Sequence, residues 1–143
     1  MSPSLRRLVA AFELTDELAA SLEAPGLNAR NGAARSNTIG SQLWCVVGAR
    51  ESYARAIESG TWVGFSCSLE EPHSPDAVRA SLAGAQRVLL EAVEGPEQLT
   101  EAQESFLLDL LEHEVQHHGQ LIRYFYANDL PFPTAFGRRY ALR

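Results

Sequence analysis

Cysteine is scarce in this 143-residue chain, with only Cys45 and Cys67. Two thiols cannot make a disulfide framework, and a chain of this length can bury a core without one, so a reducing, cytoplasmic location is expected. Long apolar runs are missing too. No stretch approaches the 18 or so consecutive apolar residues of a membrane span, and the opening Met-Ser-Pro-Ser-Leu-Arg-Arg runs into mixed apolar and acidic residues, unlike a secretory signal. Basic charge is in deficit. Twelve Lys and Arg face 18 Asp and Glu, for a formal charge of -6 and a pI near 5.2, which speaks against a dedicated nucleic-acid binder. Ten glycines and seven prolines are too few for a fibrous or low-complexity chain. With 45% hydrophobic and 21% charged residues, the composition is that of a single globular domain over residues 1–143.

Sustained period-two alternation is also absent, which argues against a half-buried sheet and leaves four segments with a helical period. The spacing predicts an all-α fold. The first helix runs from about Pro3 to Glu23, with Ser2 as cap and Leu5, Leu8, Phe12, Ala19 and Leu22 at three- and four-residue steps. Residues 24–37 carry hardly any apolar anchor and read as a mobile surface loop. The second helix spans about Thr38 to Ser59, buries Ile39, Leu43, Val46, Val47, Tyr53 and Ile57, and stops at Gly60. An apolar but irregular crossover follows. Ser74-Pro75-Asp76 opens the third helix, whose inner stripe is Val78, Leu82, Ala85, Leu89 and Ala92, and Gly95-Pro96 closes it. The fourth starts at the capping box Thr100-x-x-Gln103 and runs to about Ala127. Four helices of this length predict a four-helix bundle with a long crossover between helices 2 and 3.

Three of the four histidines fall within Leu111-Glu-His-Glu-Val-Gln-His-His-Gly-Gln120. At 100° per residue, His113 and His117 lie about 40° apart and one turn along, so both imidazoles can reach one ion. His117 and Glu114 share a face with Phe106, Leu107, Leu110, Leu121 and Phe125, and His113 lies at its border. Such groups are costly in an apolar stripe unless paired, and a divalent cation would satisfy them. His118 sits further round, as a core or a surface residue. His113-Glu114-x-x-His117 also fits the H-E-x-x-H zinc-hydrolase pattern, with Glu114 as the candidate catalytic base. That reading lacks a third ligand, since beyond His118 the chain has no further histidine or glutamate, only Asp129.

These residues resemble those of the DinB/YfiT-like four-helix bundles. His113, His117, Gly119 and Gln120 match the family's His-x-x-x-His followed by Gly-Gln on the last helix, and Thr38-Ile39-Gly40-Ser41-Gln42-Leu43-Trp44 matches the lead-in to its first histidine ligand. The resemblance covers the whole chain, in helix number, order and crossover. It departs at the first ligand, where Cys45 stands in place of histidine. The resemblance implies a metal site of Cys45, His113 and His117 holding a divalent transition metal, zinc or nickel. It further implies a thiol-dependent transferase or isomerase that uses the ion to activate a low-molecular-weight thiol against a small-molecule substrate. Thiolate is a competent zinc ligand. Cys45 also lies on a stripe of small residues with Ala49, Ser52 and Ala56, which would equally suit a buried thiol at a close helix contact, and the competing function is a non-catalytic, stress-related or binding bundle with a degenerate site.

Cys67 in the crossover is a weaker thiol candidate, and His73 reads as an exposed loop residue ahead of the Ser74 cap. Arg50, on the apolar face with Leu43 and Val47, needs a carboxylate such as Glu114 or Glu51, or else anchors an anionic substrate group. Trp44, Trp62, Phe65, Tyr124 and Tyr126 read as core, crossover or dimer packing. The tail from Leu130 is too apolar to stay solvated and is expected to dock on the bundle or a partner subunit. Together Trp62, Phe65, Phe132, Phe136 and Tyr140 predict a homodimer.

Overall fold

Six helices account for the regular structure in a computed structural model that describes residues 1–32 and 35–143. They are α1 (Pro3–Ala20), α2 (Ala24–Leu27), α3 (Ile39–Ser59), α4 (Pro75–Glu94), α5 (Glu101–Ala127) and α6 (Thr134–Arg139). Among the described residues the only β pairing is one bridge, Arg30 to Thr38. The chain is all-α. The expected caps Ser2, Ser74 and Thr100 close the helix ends, joined by Thr38: the side chain of each accepts from a backbone N–H of its first turn, with Gln103 completing the Thr100 box. Each such cap stabilises its helix by about 1 kcal/mol. Gly60 ends α3 at φ 77°, a left-handed conformation that glycine adopts without strain.

Long-range bonds fix the helix directions. Ser4 bonds Glu104 and, further along, Thr15 bonds Glu114, so α1 and α5 run parallel. Gln103 reaches the Ile57 carbonyl while Gln42 meets His117, so α3 is antiparallel to α5. Arg79 near the start of α4 bonds the carbonyls of Ala20 and Leu22 at the end of α1, so α4 is antiparallel to α1. The resulting up, down, down, up order closes into a ring in which α1 packs on α4 and α5, and α3 packs on the same two.

Because α3 and α4 point the same way, the chain must return along the full length of α3 between them. Residues 61–73 make that return against α3, and two glycines let the backbones approach. A Cβ at Gly40 would collide with the Pro72 carbonyl, and one at Gly48 with Phe65 and Cys67. Ser52 bonds the backbone of Ser66 in both directions, so the crossover covers the small-residue stripe of α3 at Ser52, while Ala49 packs into the core.

The expected course of residues 21–37 needs correction. The first helix ends at Ala20, and Ala24–Leu27 forms a short helix that buries Leu27, the apolar anchor that the composition had concealed; Ile39 N–H then bonds the Ala29 carbonyl. Residues 33 and 34 of the expected mobile loop lie outside the described residues. The tail docks on its own chain. Glu17 accepts the N–H groups of Ala135 and Phe136 at the start of α6, Phe136 is fully buried, and Phe132 stacks between Phe125 and Phe136. These aromatic groups are therefore satisfied within one chain. No helix of the described residues is long and apolar enough to cross a membrane.

Candidate metal centre

Antiparallel packing of α3 on α5 sets Cys45 opposite His113. Their Sγ and Nε2 atoms lie 3.6 Å apart, and one ligand atom each from Cys45, His113 and His117 fall within 4.8 Å of one another. Zinc–sulfur and zinc–nitrogen bonds of about 2.3 and 2.05 Å at a tetrahedral angle give a sulfur-to-nitrogen edge of about 3.6 Å, the separation seen here. The imidazoles of His113 and His117 lie one turn apart with centroids at 4.6 Å and planes inclined by 55°. His117 is the deeper of the two, buried where His113 and Cys45 are half-buried.

The protonation states suit cation binding. Burial, with His113 and His118 nearby, pulls the His117 pKa down to about 4, and burial also lowers that of His113, so both rings are neutral at pH 7. Burial pushes the Cys45 thiol up, so a metal taken up at neutral pH displaces its proton. One nitrogen of His113 faces the thiol, and the other, Nδ1, is buried without a partner among the described residues. This imidazole is not satisfied by the chain alone. A soft thiolate with two imidazoles is a donor set for zinc or nickel and a poor one for magnesium or calcium, so the residues fit the implied ion.

Behind His117 lies a relay that sequence reasoning missed. Nδ1 of His117 is 2.6 Å from Gln42 Oε1, Gln42 Nε2 donates to Asn37 Oδ1 at 3.1 Å, and Tyr124 donates to the same Oδ1 at 2.6 Å. An amide oxygen can only accept, so Nδ1 carries the proton and Nε2 keeps its lone pair for a ligand. The one signal was a polar Gln42 beside the apolar face of its helix; Tyr124 read as core, crossover or dimer packing.

Glu114 does not join the three ligands. It is fully buried, accepting from Arg50 at 2.5 Å and from Thr15 at 2.6 Å. Arg50 spends its donors on Glu114, Asp16 and the carbonyls of Phe12 and Leu82, with its guanidinium 4.0 Å over the Phe12 ring, and so joins α1, α3, α4 and α5. Of the two expected partners Glu114 is the right one. Glu51 instead accepts from the Ser68 N–H, and Asp16 was not anticipated. His118 resolves to a core residue, fully buried, with Nε2 2.6 Å from Thr15 and Nδ1 2.6 Å from the Tyr140 hydroxyl.

Cys67 does not belong to the three-ligand group; its thiol donates to the Trp44 carbonyl at 3.3 Å. His73 is half-buried rather than exposed, because Nε2 meets the Thr38 hydroxyl at 2.7 Å and ties the crossover to the start of α3. Gly119 and Gln120 are exposed on α5, and nothing in the structure explains them. Compared with known proteins, the chain matches no family model, no curated protein and no solved structure.

Proposed function

We propose that the protein is a DinB/YfiT-like four-helix bundle that binds one divalent transition metal, zinc or nickel, through Cys45, His113 and His117. We further propose that it acts on a small molecule as a metal- and thiol-dependent transferase or isomerase. The observation that carries the metal reading is the convergence, within 4.8 Å of one another, of one donor atom from α3 and two from α5, 68 or more residues further along the sequence. When bound, such an ion supplies a Lewis acid that lowers the pKa of an incoming low-molecular-weight thiol. His117 presents Nε2, held in that tautomer by Gln42; Cys45 gives up its proton to become a ligand. Cys45, His113 and His117 would hold the ion and leave room in its coordination for the incoming thiol.

The full commitment of Glu114 to Arg50 and Thr15 disfavours the H-E-x-x-H hydrolase reading, which needs that carboxylate free as a base. It favours, as the second reading, a bundle that binds without turnover. Trp44, Trp62, Val63 and Phe65 remain exposed along α3 and the crossover and form the surface on which a homodimer would pair. Elemental analysis of protein purified from metal-replete cells tests the site: about one ion per chain is expected, lost in His117→Ala and strongly weakened in Cys45→Ser, since an alcohol is a poor donor to zinc. A wild-type chain that stays metal-free and resists reconstitution with zinc and nickel would overturn the reading.

A further inference from the structure

On the side of α5 away from Cys45, a groove runs between α1, α5 and α6 with a volume of about 580 Å³. Small-molecule clefts span about 300–1,000 Å³. Its floor is apolar, made by Ala11, Leu14, Leu111, Val115 and the ring of Tyr140. That ring is a fixed wall, since the Tyr140 hydroxyl is 2.6 Å from buried His118. Leu111 and Val115 each lie two residues from His113, about 200° round the helix, so the groove is separate from the metal centre and does not depend on it.

The charges at the rim do not match those of the rest of the protein. Arg7, Arg138 and Arg139 all line the groove, and none forms an ion pair with a carboxylate among the described residues. Two carboxylates are present, Glu13 and Glu17. Both oxygens of Glu17 are already taken by the N–H groups of Ala135 and Phe136, at 3.2 and 3.0 Å. Three guanidinium groups therefore outnumber the two carboxylates, of which only Glu13 keeps both oxygens uncommitted, in a chain whose formal charge is -6. An apolar trough with a local positive excess complements a molecule that has an apolar body and an anionic head.

We infer that this groove binds a free long-chain carboxylate, its alkyl chain along the Leu14, Leu111 and Val115 floor and its head group among the three arginines. Guanidinium forks match the two oxygens of a carboxylate. A phosphate head is less well served, because the one helix N-terminus that borders the groove is filled by Glu17. From Arg7 to Glu17 the α1 wall offers about 15 Å, the reach of an extended alkyl chain.

Calorimetric titration of the full chain with dodecanoate, below its micelle concentration, tests this against two other probes, 1-dodecanol and phosphatidylglycerol vesicles. Saturable binding of one dodecanoate per chain is expected, with dodecanol at least about tenfold weaker, the scale of a charge-assisted contact. Ala10→Trp, at an exposed position on the groove wall, should abolish binding, and Arg139→Glu should weaken it about tenfold or more, both with unchanged helical circular dichroism. No saturable binding, dodecanol binding as tightly as dodecanoate, full binding by Ala10→Trp, or association with the vesicles alone would each overturn the assignment.

Discussion

Two polar clusters meet on α5, side by side on neighbouring faces of the helix, and they are finished to different degrees. In the cluster of Arg50, Glu114, Thr15, His118 and Tyr140, each donor finds an acceptor. Tyr140 donates to His118 Nδ1, His118 Nε2–H donates to Thr15, Thr15 donates to Glu114, and Glu114 accepts from Arg50. In the cluster of Cys45, His113 and His117, three donor atoms face one another and His113 Nδ1 has no partner. Burial is costly in both places, and only the first cluster offsets that cost within the chain. A closed network of this kind holds helices in register. An open one of the same residue types is where a ligand from outside has something to contribute.

The largest effect should come from breaking the closed cluster. Arg50→Met leaves Glu114 buried without its cation, and removing one partner of a buried pair costs about 3–5 kcal/mol. Urea denaturation reads this directly. Arg50→Met with Glu114→Leu should recover much of the loss, because an apolar pair of similar volume needs no desolvated charge. A single variant as stable as the wild type would mean that the node does not hold the four long helices together.

Acid should act next, through the buried histidines. Burial and the Arg50 charge bring the His118 pKa down to about 4 from the usual 6.5, and His117 is likewise near 4. Between those values the unfolded chain binds protons that the folded chain refuses, so stability is full above about pH 6.5 and falls as the pH drops towards 4. At about 1.4 kcal/mol per unit, each histidine contributes at most about 3.5 kcal/mol. Metal-free protein should lose stability over this window, and His118→Gln should flatten the slope while leaving the share of His117. A slope unchanged in that variant would show that His118 is already protonated in the folded state.

The two clusters were unequally legible in the sequence, for a physical reason. Periodicity within one helix placed His117, Glu114 and Arg50 inward, and local spacing placed the caps at Ser2, Ser74 and Thr100. What periodicity cannot give is the register between helices. Asp16 beside Arg50, Gln42 beside His117 and Tyr140 beside His118 all depend on how far one element slides along another. The pairing of Cys45 with His113 came from the family resemblance, since the helix phase of Cys45 fits a close-contact stripe equally well. Thr15 carried a readable hint, a polar residue one turn beyond Phe12 on the buried stripe of α1. The tail read as apolar, but its seat on Glu17 and His118 is a tertiary fact.

The smallest effect, and the one that bears most closely on the difference between the clusters, belongs to Gln42. If the open cluster binds a metal, the relay behind His117 fixes which nitrogen faces it, and removing such a partner typically costs about 10–100-fold in affinity. Gln42→Leu keeps the volume but deletes the acceptor for His117 Nδ1–H, so zinc affinity measured by chelator competition should fall by about tenfold or more. Gln42→Glu restores an acceptor, and a more basic one, so affinity should return to at least the wild-type level. A role confined to helix packing predicts the opposite pattern: both variants would change the melting temperature and neither would move the affinity. Nitrogen chemical shifts of His117 separate the cases further, since loss of the Gln42 acceptor should mix the two tautomers of the metal-free ring. Unchanged zinc affinity and an unchanged tautomer in Gln42→Leu would show that Gln42 merely fills space between α3 and α5.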